Sequence, residues 1–385
     1  MKKGWVKSKF GDVCQYRKDN GVHKNLQYVG MEHIGQGNGL LLGTIDSNSV
    51  LSTSFRFQKG DVLYGRLRPY LKKACVAEFE GCCSTEIFPI FSEHIDASFL
   101  KYWLLTDKTT TAINNTCSGC RMPRGNMNEV LNFDFYYPPI SEQKEIVEYL
   151  DSSFAKIDKL KENAAKNLEE AKALFQSALK DALEPKEGWE EKKLQDICQI
   201  KGGKRLPKGY VLSSEPMSHR YITVADFTKN GTVVPSTVKY ISDEVYKTIQ
   251  RYTITSDDVY VTIVGSTVGK AGIIPPELDG ANLTENACKL VLNKDYDKRF
   301  VYYLMCSEYV IRQEQLLTKV SAQPKLALTR LASIFVYMPS LQEQQSIVSF
   351  LDSLNEKVNT LQQNYSRICD ECDALKQAIL RQVFE

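Results

Sequence analysis

Three kinds of residue in this chain could do chemistry: a glycine turn ending in lysine, clusters of Arg and Lys with aromatic or amide neighbours, and two Cys-x-x-Cys pairs. The turn is Gly265-Ser266-Thr267-Val268-Gly269-Lys270. A nucleotide phosphate loop needs four residues between its glycines and a hydroxyl after the lysine to hold Mg. Here three intervene and Ala271 follows, so the expectation is a turn whose N–H groups, with Ser266, Thr267 and Lys270, meet a nucleic-acid phosphate. The stretch 65–73 places Arg66, Arg68, Tyr70, Lys72 and Lys73 together without an acid, and 201–209 does the same with Lys201, Lys204, Arg205 and Lys208. Cys120 to Asn126, carrying Arg121, Arg124 and Asn126, aligns with Ser321-Ala322-Gln323-Pro324-Lys325, a turn that opens at Lys319. Arg presents a fork suited to guanine edges or phosphate, Asn and Gln suit adenine, and glycine permits close backbone approach. The bland alternative for each cluster is a solvated loop, and recurrence in both halves of the chain argues against it.

Other chemistries find little footing. Cys117-x-x-Cys120 and Cys369-x-x-Cys372 are isolated pairs, each short of a four-ligand zinc site. Eleven cysteines, an odd number at irregular spacing, do not read as a disulfide framework. Asp257 and Asp258 are adjacent acids of the kind usually solvated at a turn. Pro138-Pro139 lacks the neighbours of an Asn-Pro-Pro-Tyr methyltransferase box, and no dinucleotide fingerprint, zinc-protease helix or nucleophile elbow occurs. The expectation is a non-catalytic chain with no metal and no cofactor of its own. The net charge of +2 confines any nucleic-acid surface to local patches. No apolar run reaches the roughly 18 residues of a membrane span, and MKKGWVKSKF has no signal-peptide core, which predicts a cytoplasmic protein.

The elements that must position these turns come in duplicate. Pro138 to Glu184 meets Pro339 to Glu385 at an offset of about 201: Glu142 and Gln143 fall on Glu343 and Gln344, Ile146 and Val147 on Ile347 and Val348, Leu150 and Asp151 on Leu351 and Asp352. Prolines at the start and alternating apolar steps of three and four predict two long helices with heptad seams. The expected seam is Leu150, Ile157, Leu160 and Leu174 in the first, interrupted at Asn167, and Leu351, Leu354, Val358, Leu361 and Leu375 in the second. Roughly 40 residues make a rod of about 60 Å that cannot bury its seam alone. A second repeat, Gly4-Trp5 against Gly188-Trp189, opens each half, so the halves are 1–184 and 185–385. Within them Asp61 answers Asp258, Thr85-Glu86 answers Thr284-Glu285, and Phe99 with Tyr102 answers Phe300 with Tyr303. Short β-branched runs between turn residues mark each globular region as strand-rich, with helices at 98–108 and 297–317, giving two small α+β domains. The residues alone leave open an adaptor whose helices dimerise, or a lone nuclease.

The Pro-x-x-x-Glu-Gln-x-x-Ile-Val-x-x-Leu-Asp pattern, complete at 138–151 and 339–352, resembles the start of the conserved helical regions of type I restriction-modification specificity subunits. KGGKRLPKGY, YITVADFTKNGT and GSTVGKAGI look like segments of that family's target recognition domains. The resemblance implies an α+β fold: two pseudo-repeated, β-rich target recognition domains, 1–137 and 185–338, separated by two long antiparallel coiled-coil helices, 138–184 and 339–385, as a spacer. It further implies a bipartite, gapped double-stranded DNA site, two methyltransferase subunits bringing S-adenosylmethionine, and restriction subunits bringing ATP and Mg.

Overall fold

The repeated proline-led stretches form two helices of identical length, Ile140–Leu183 and Leu341–Phe384, 44 residues each. The computed structural model describes residues 4–117, 121–319 and 323–385. They divide into two compact units that do not follow the sequence halves: residues 1–166 with 364–385, and residues 167–363. Each unit therefore holds the start of one long helix and the end of the other.

In the first unit, Val6–Lys9 pairs with Asp134–Tyr137 in an antiparallel ribbon that joins the beginning and end of the globular region. A four-stranded sheet runs in the order Gln15–Tyr16, Ile87–Phe91, Val62–Gly65, Ala74–Val76. A five-stranded sheet contains Asn20–Gly21, Ser54–Phe57, Gly81–Ser84, Gln27–Val29 and Ile45–Asp46, with one parallel pairing, Tyr28 to Cys82. The second unit repeats this plan. Glu190–Lys193 pairs with Phe335–Met338, and Cys198–Gly202, Ala287–Leu292, Val259–Thr262 and Ala271–Gly272 form the four-stranded sheet. The further sheet has four strands, Lys239–Ile241, His219–Ile222, Ala281–Leu283 and Thr253–Ile254, again with one parallel pair.

The duplicated motif is the joint between sheet and helix. Trp5 and Trp189 each donate an indole N–H to the motif glutamate, Glu142 or Glu343, at 3.1 Å. Gln143 and Gln344 are buried and work at both ends of the amide. Their oxygens accept the N–H of Asp96 or Asp297 at 2.8 Å, and their Nε2 groups donate to the carbonyl of Pro138 or Pro339 at 2.9 Å. Asp96 and Asp297 in turn cap the next helix, accepting from the N–H groups of Ser98 and Phe99, or Arg299 and Phe300. Leu150 and Leu351 have no exposed surface, and Asp151 and Asp352 accept the hydroxyls of Tyr102 and Tyr303. One amide thus satisfies a buried loop, a cap and a helix start.

The seam is where the structure corrects the sequence. Leu150, Ile157 and Leu351 are buried and Leu354 and Val358 half-buried, but Leu160, Leu174, Leu361 and Leu375 are exposed. The inward line of the first helix instead runs through Val147, Leu150, Phe154, Ile157, Lys161, Ala164, Leu168, Ala171, Phe175 and Ala178, and Asn167 lies off it. The true period steps four then three from Leu150, so Phe154 and Lys161 are inside and Leu160 is out. Lys161 serves as a seam residue because its stem covers apolar surface while its ammonium reaches Asp373 of the other helix at 2.9 Å. Lys376 does the same, pairing with Asp158 at 2.5 Å and lying 5.3 Å from the Phe154 ring centre. Partners that descend from 376 to 373 as residues rise from 158 to 161 make the helices antiparallel within the first unit. In the second unit Leu179 and Leu183 join the cluster containing Ile347, Val348 and Leu351.

Candidate nucleic-acid interface

The basic turns of each unit are tied together by backbone bonds at corresponding places. In the first unit Leu67 bridges Arg124, the Arg68 N–H donates to Pro123 O at 2.7 Å, and the Gly125 N–H donates to Arg66 O at 2.9 Å. In the second, Val264 bridges Lys325, the Gly265 N–H donates to Pro324 O at 2.9 Å, and Leu326 donates to Ile263 O at 2.9 Å. The 201–208 stretch joins them: Gly203 donates to Ala287 O and Lys204 to Leu283 O, beside the Asn286 carbonyl that accepts from Ile263 and Val264. The structure therefore brings the sequence-separated turns of each unit into one surface. Cys120, Ser321 and Ala322 lie outside the described residues.

Within those surfaces the cations divide into held and free. Glu86 accepts Arg66 at 3.1 Å and Arg124 at 2.8 Å, and Arg66 also lies over the Phe88 ring. Glu285, its counterpart, accepts Arg205 at 2.6 Å. Glu285 is held below the usual carboxyl range by that arginine together with its own backbone N–H and the Thr284 hydroxyl, against the opposing pull of burial. Sequence reading paired Glu86 with Glu285 but gave them no role, because the arginines they hold lie 20, 38 and 80 residues away along the chain. Lys72 pairs with Asp107 at 2.5 Å, Lys73 donates to Met31 O at 2.5 Å, and Asn126 caps the helix Met127–Val130. Lys204 lies 5.7 Å from the Tyr252 ring centre.

Arg68 is exposed and has φ 52°, and among the described residues it takes no part in an ion pair. A left-handed arginine is uncommon and is retained where the surroundings over-determine it. Tyr70, Arg121, Lys201, Lys208, Ser266, Thr267, Lys319, Gln323 and Lys325 are exposed. Lys270 departs from the expectation of a phosphate-facing cation. Its ammonium donates to the Phe227 carbonyl, and burial, with help from Lys229, lowers its pKa. The turn's own N–H groups are mostly spent internally, Val268 on Gly265, Gly269 on Thr262 and Lys270 on Thr267.

Asp257 and Asp258 are each held by a lysine. Asp258 is buried, accepts the Thr255 N–H and pairs with Lys289 at 2.8 Å, while Asp257 pairs with Lys298 at 2.8 Å. Among the described residues no three His, Cys, Asp or Glu side chains gather as a metal site, and no helix is long and apolar enough to cross a membrane.

Two alike α+β units, each with joined basic turns and a helix joint repeated to the residue, define a class of internally duplicated proteins. The chain belongs to the type I restriction modification DNA specificity domain family, whose model matches residues 2–170 and 186–368. It is 31% identical over 181 residues to the type I restriction enzyme EcoDI specificity subunit of Escherichia coli, a stretch spanning 46% of this chain and 40% of that subunit. It is 20% identical over 375 residues to the MjaVIII specificity subunit of Methanocaldococcus jannaschii, covering 89% of this chain and 78% of that one. The fold matches a chain from a study of complex assembly and conformational transition of the type I R-M system (TM-score 0.81, 20% identity, 100% of this chain and 98% of that one). It also matches the HsdS subunit of Thermoanaerobacter tengcongensis (TM-score 0.60, 20% identity, 99% and 97% covered).

Proposed function

We propose that this chain is the sequence-specificity subunit of a type I restriction-modification complex, recognising a bipartite, gapped double-stranded DNA site with one half-site read by each recognition domain, 1–137 and 185–338. The observation that carries the reading is the duplicated surface in which 66–68 is bonded to 123–125 and 263–265 to 324–326. Arg68, Arg121 and Tyr70 in the first domain, and Lys201, Lys208, Ser266, Thr267, Lys319, Gln323 and Lys325 in the second, are the side chains offered to bases and phosphates. Arg66, Arg124 and Arg205 would exchange their glutamates for DNA, with Glu86 and Glu285 holding the forks in a fixed plane beforehand.

Methylation and cleavage would belong to partners: two methyltransferase subunits with S-adenosylmethionine, and restriction subunits with ATP and Mg. The long helices offer a repeated face for two copies of one partner. Their exposed large apolar residues come in pairs 201 apart: Ile140 and Leu341, Tyr149 and Phe350, Leu160 and Leu361, Leu174 and Leu375. Tyr149, Leu160 and Leu174 are 11 and 14 residues apart, close to whole turns, so they share one side of the helix. The helix regions 138–184 and 339–385 would set the separation of the half-sites.

Methylome sequencing of a host carrying the chain with its methyltransferase tests this reading. A gapped motif that disappears on deletion of the gene is expected; an unchanged methylome refutes it.

A further inference from the structure

Behind the turn 265–270, within the second unit, lies a cavity of about 480 Å³. Its walls include Val268, Tyr302, Met305 and Ile311, and Glu314 stands among them. Glu314 is 2% exposed, and neither carboxyl oxygen has a hydrogen-bond partner among the described residues. Leaving a buried carboxyl unsatisfied is costly. Lys229 and Lys270 lie on the same lining, close enough for Lys229 to disfavour the charge on Lys270. Two glycines keep the space open. A Cβ on Gly269 would fall 2.3 Å from Glu314 Oε2, and one on Gly231 would fall 2.4 Å from the Tyr302 hydroxyl.

The fold itself does not require an acid here. The helix Glu308–Leu317 begins on a Ser307 cap, as Asp107–Asn115 begins on Thr106, and the residue 201 positions before Glu314 is Ile113. Ile113 is fully buried in the first unit's core. The same place is apolar in one domain and a carboxyl in the other.

A simple cation would sit beside Lys229 and Lys270 on the same lining, and a small ion of either sign would leave the apolar walls unfilled. The complementary ligand has a flat, largely apolar body, a hydrogen-bonding edge for Glu314 and a negative group for Lys229. We propose that this cavity is a nucleotide pocket, with the base between Tyr302, Met305 and Ile311, its edge on Glu314 and its phosphate on Lys229. Burial raises the Glu314 pKa to about 8, so at neutral pH the carboxyl both donates and accepts. A neutral carboxyl pairs with any base edge that sets a donor beside an acceptor, so the pocket takes a nucleobase edge without choosing among bases. The source is either an extrahelical nucleotide of bound DNA or a free nucleotide; bases outside the stack are read in this manner by side chains and stacking. The DNA source rests on the proposed function and the free source does not.

The test uses the full chain, with AMP, CMP and TMP in equilibrium dialysis, and with a duplex carrying a bulged 2-aminopurine read by fluorescence. Glu314→Ile, which installs the first domain's residue, and Glu314→Gln, which keeps donor and acceptor, are compared with the unaltered chain after thermal melts confirm folding. Binding of any of the three that is lost at least tenfold in Glu314→Ile and retained in Glu314→Gln supports a free nucleotide. No free binding, with a 2-aminopurine signal that only Glu314→Ile abolishes, supports the DNA source. No binding of either kind, or binding indifferent to Glu314→Ile, overturns the pocket. Plain duplex affinity, measured in parallel, reports separately on the DNA-reading function.

Discussion

The two units solve one packing problem in opposite ways. Beside Tyr102 in the first unit the aromatic partner is Phe154, from the helix that starts there, at 5.4 Å and 85°, with Lys376 of the returning helix laid over it. Beside Tyr303 in the second, the partner is Phe175, from the returning helix, at 6.4 Å. The 201-offset counterparts are Asn355 for Phe154 and Phe175 for Lys376, so aromatic and polar residues have changed helices. The ion pairs Lys161–Asp373 and Asp158–Lys376 have counterparts in Gln362, Lys172, Asn359 and Phe175, which cannot repeat them. The motif at the joint is preserved because each of its groups has an obligatory partner. The helix ends beyond it need only be complementary, so they diverged in compensating pairs.

The comparison can be broken most severely at its shared part. Leu150→Ala and Leu351→Ala should each destabilise their own unit by about 2 to 5 kcal/mol. Hydrogen exchange read by peptide should show the loss confined to residues 4–166 with 364–385 for the first and 167–363 for the second. Next in size is the Ile113/Glu314 contrast. Glu314 titrates near 4.5 when unfolded and near 8 when folded, because burial penalises its charge. The folded form therefore holds the extra proton, and stability is full below about pH 4.5 and falls as pH rises through about 8. Cys288 and Cys306, whose thiols burial pushes up, are the acids facing it, with Lys229 and Lys270 on the cavity lining. Glu314→Ile should remove this loss and raise urea stability at pH 9 by on the order of 2 to 4 kcal/mol. The first unit should show no such pH response.

Smaller effects separate the reading surfaces. Arg68→Ala should relax one base position at about 1 to 3 kcal/mol, whereas Lys325→Ala should weaken all sequences alike and lower the salt slope by about 0.9. Binding assays on a randomised duplex pool at two salt concentrations would distinguish these outcomes. Leu160→Ala with Leu361→Ala should change stability by less than about 0.5 kcal/mol, yet reduce co-purification of the methyltransferase. Inserting one heptad after Ala171 and another after Gln363 should lengthen the gap in the methylated motif and leave both half-sites readable.

The duplicated helices, their starts and the strand-rich regions were legible in sequence because repetition and period are local signals. The joining of 66–68 to 123–125, and of 263–265 to 324–326, matches the recurrence of the basic turns in both halves. The seam phase was misread because Leu160 outranks Lys161 in apolarity, while long basic side chains can line a seam when an acid waits opposite. Lys270 differs from the sequence expectation because its partner is a backbone carbonyl, which no residue type advertises. Glu314 was passed over since an acid in a helix reads as surface; only its alignment with Ile113 marks it as interior.

The division of helix ends also bears on the order of synthesis. Leu380 is buried in the first unit's core, and Phe384 packs against Phe99 at 5.0 Å. Those residues emerge from the ribosome only after the whole of 167–363, which forms one contiguous unit. Domains usually complete from the N-terminus onward. In this chain the first recognition domain to be translated is the last to be finished, and the nascent chain carries its unsealed apolar surface until the final turns of the second helix arrive.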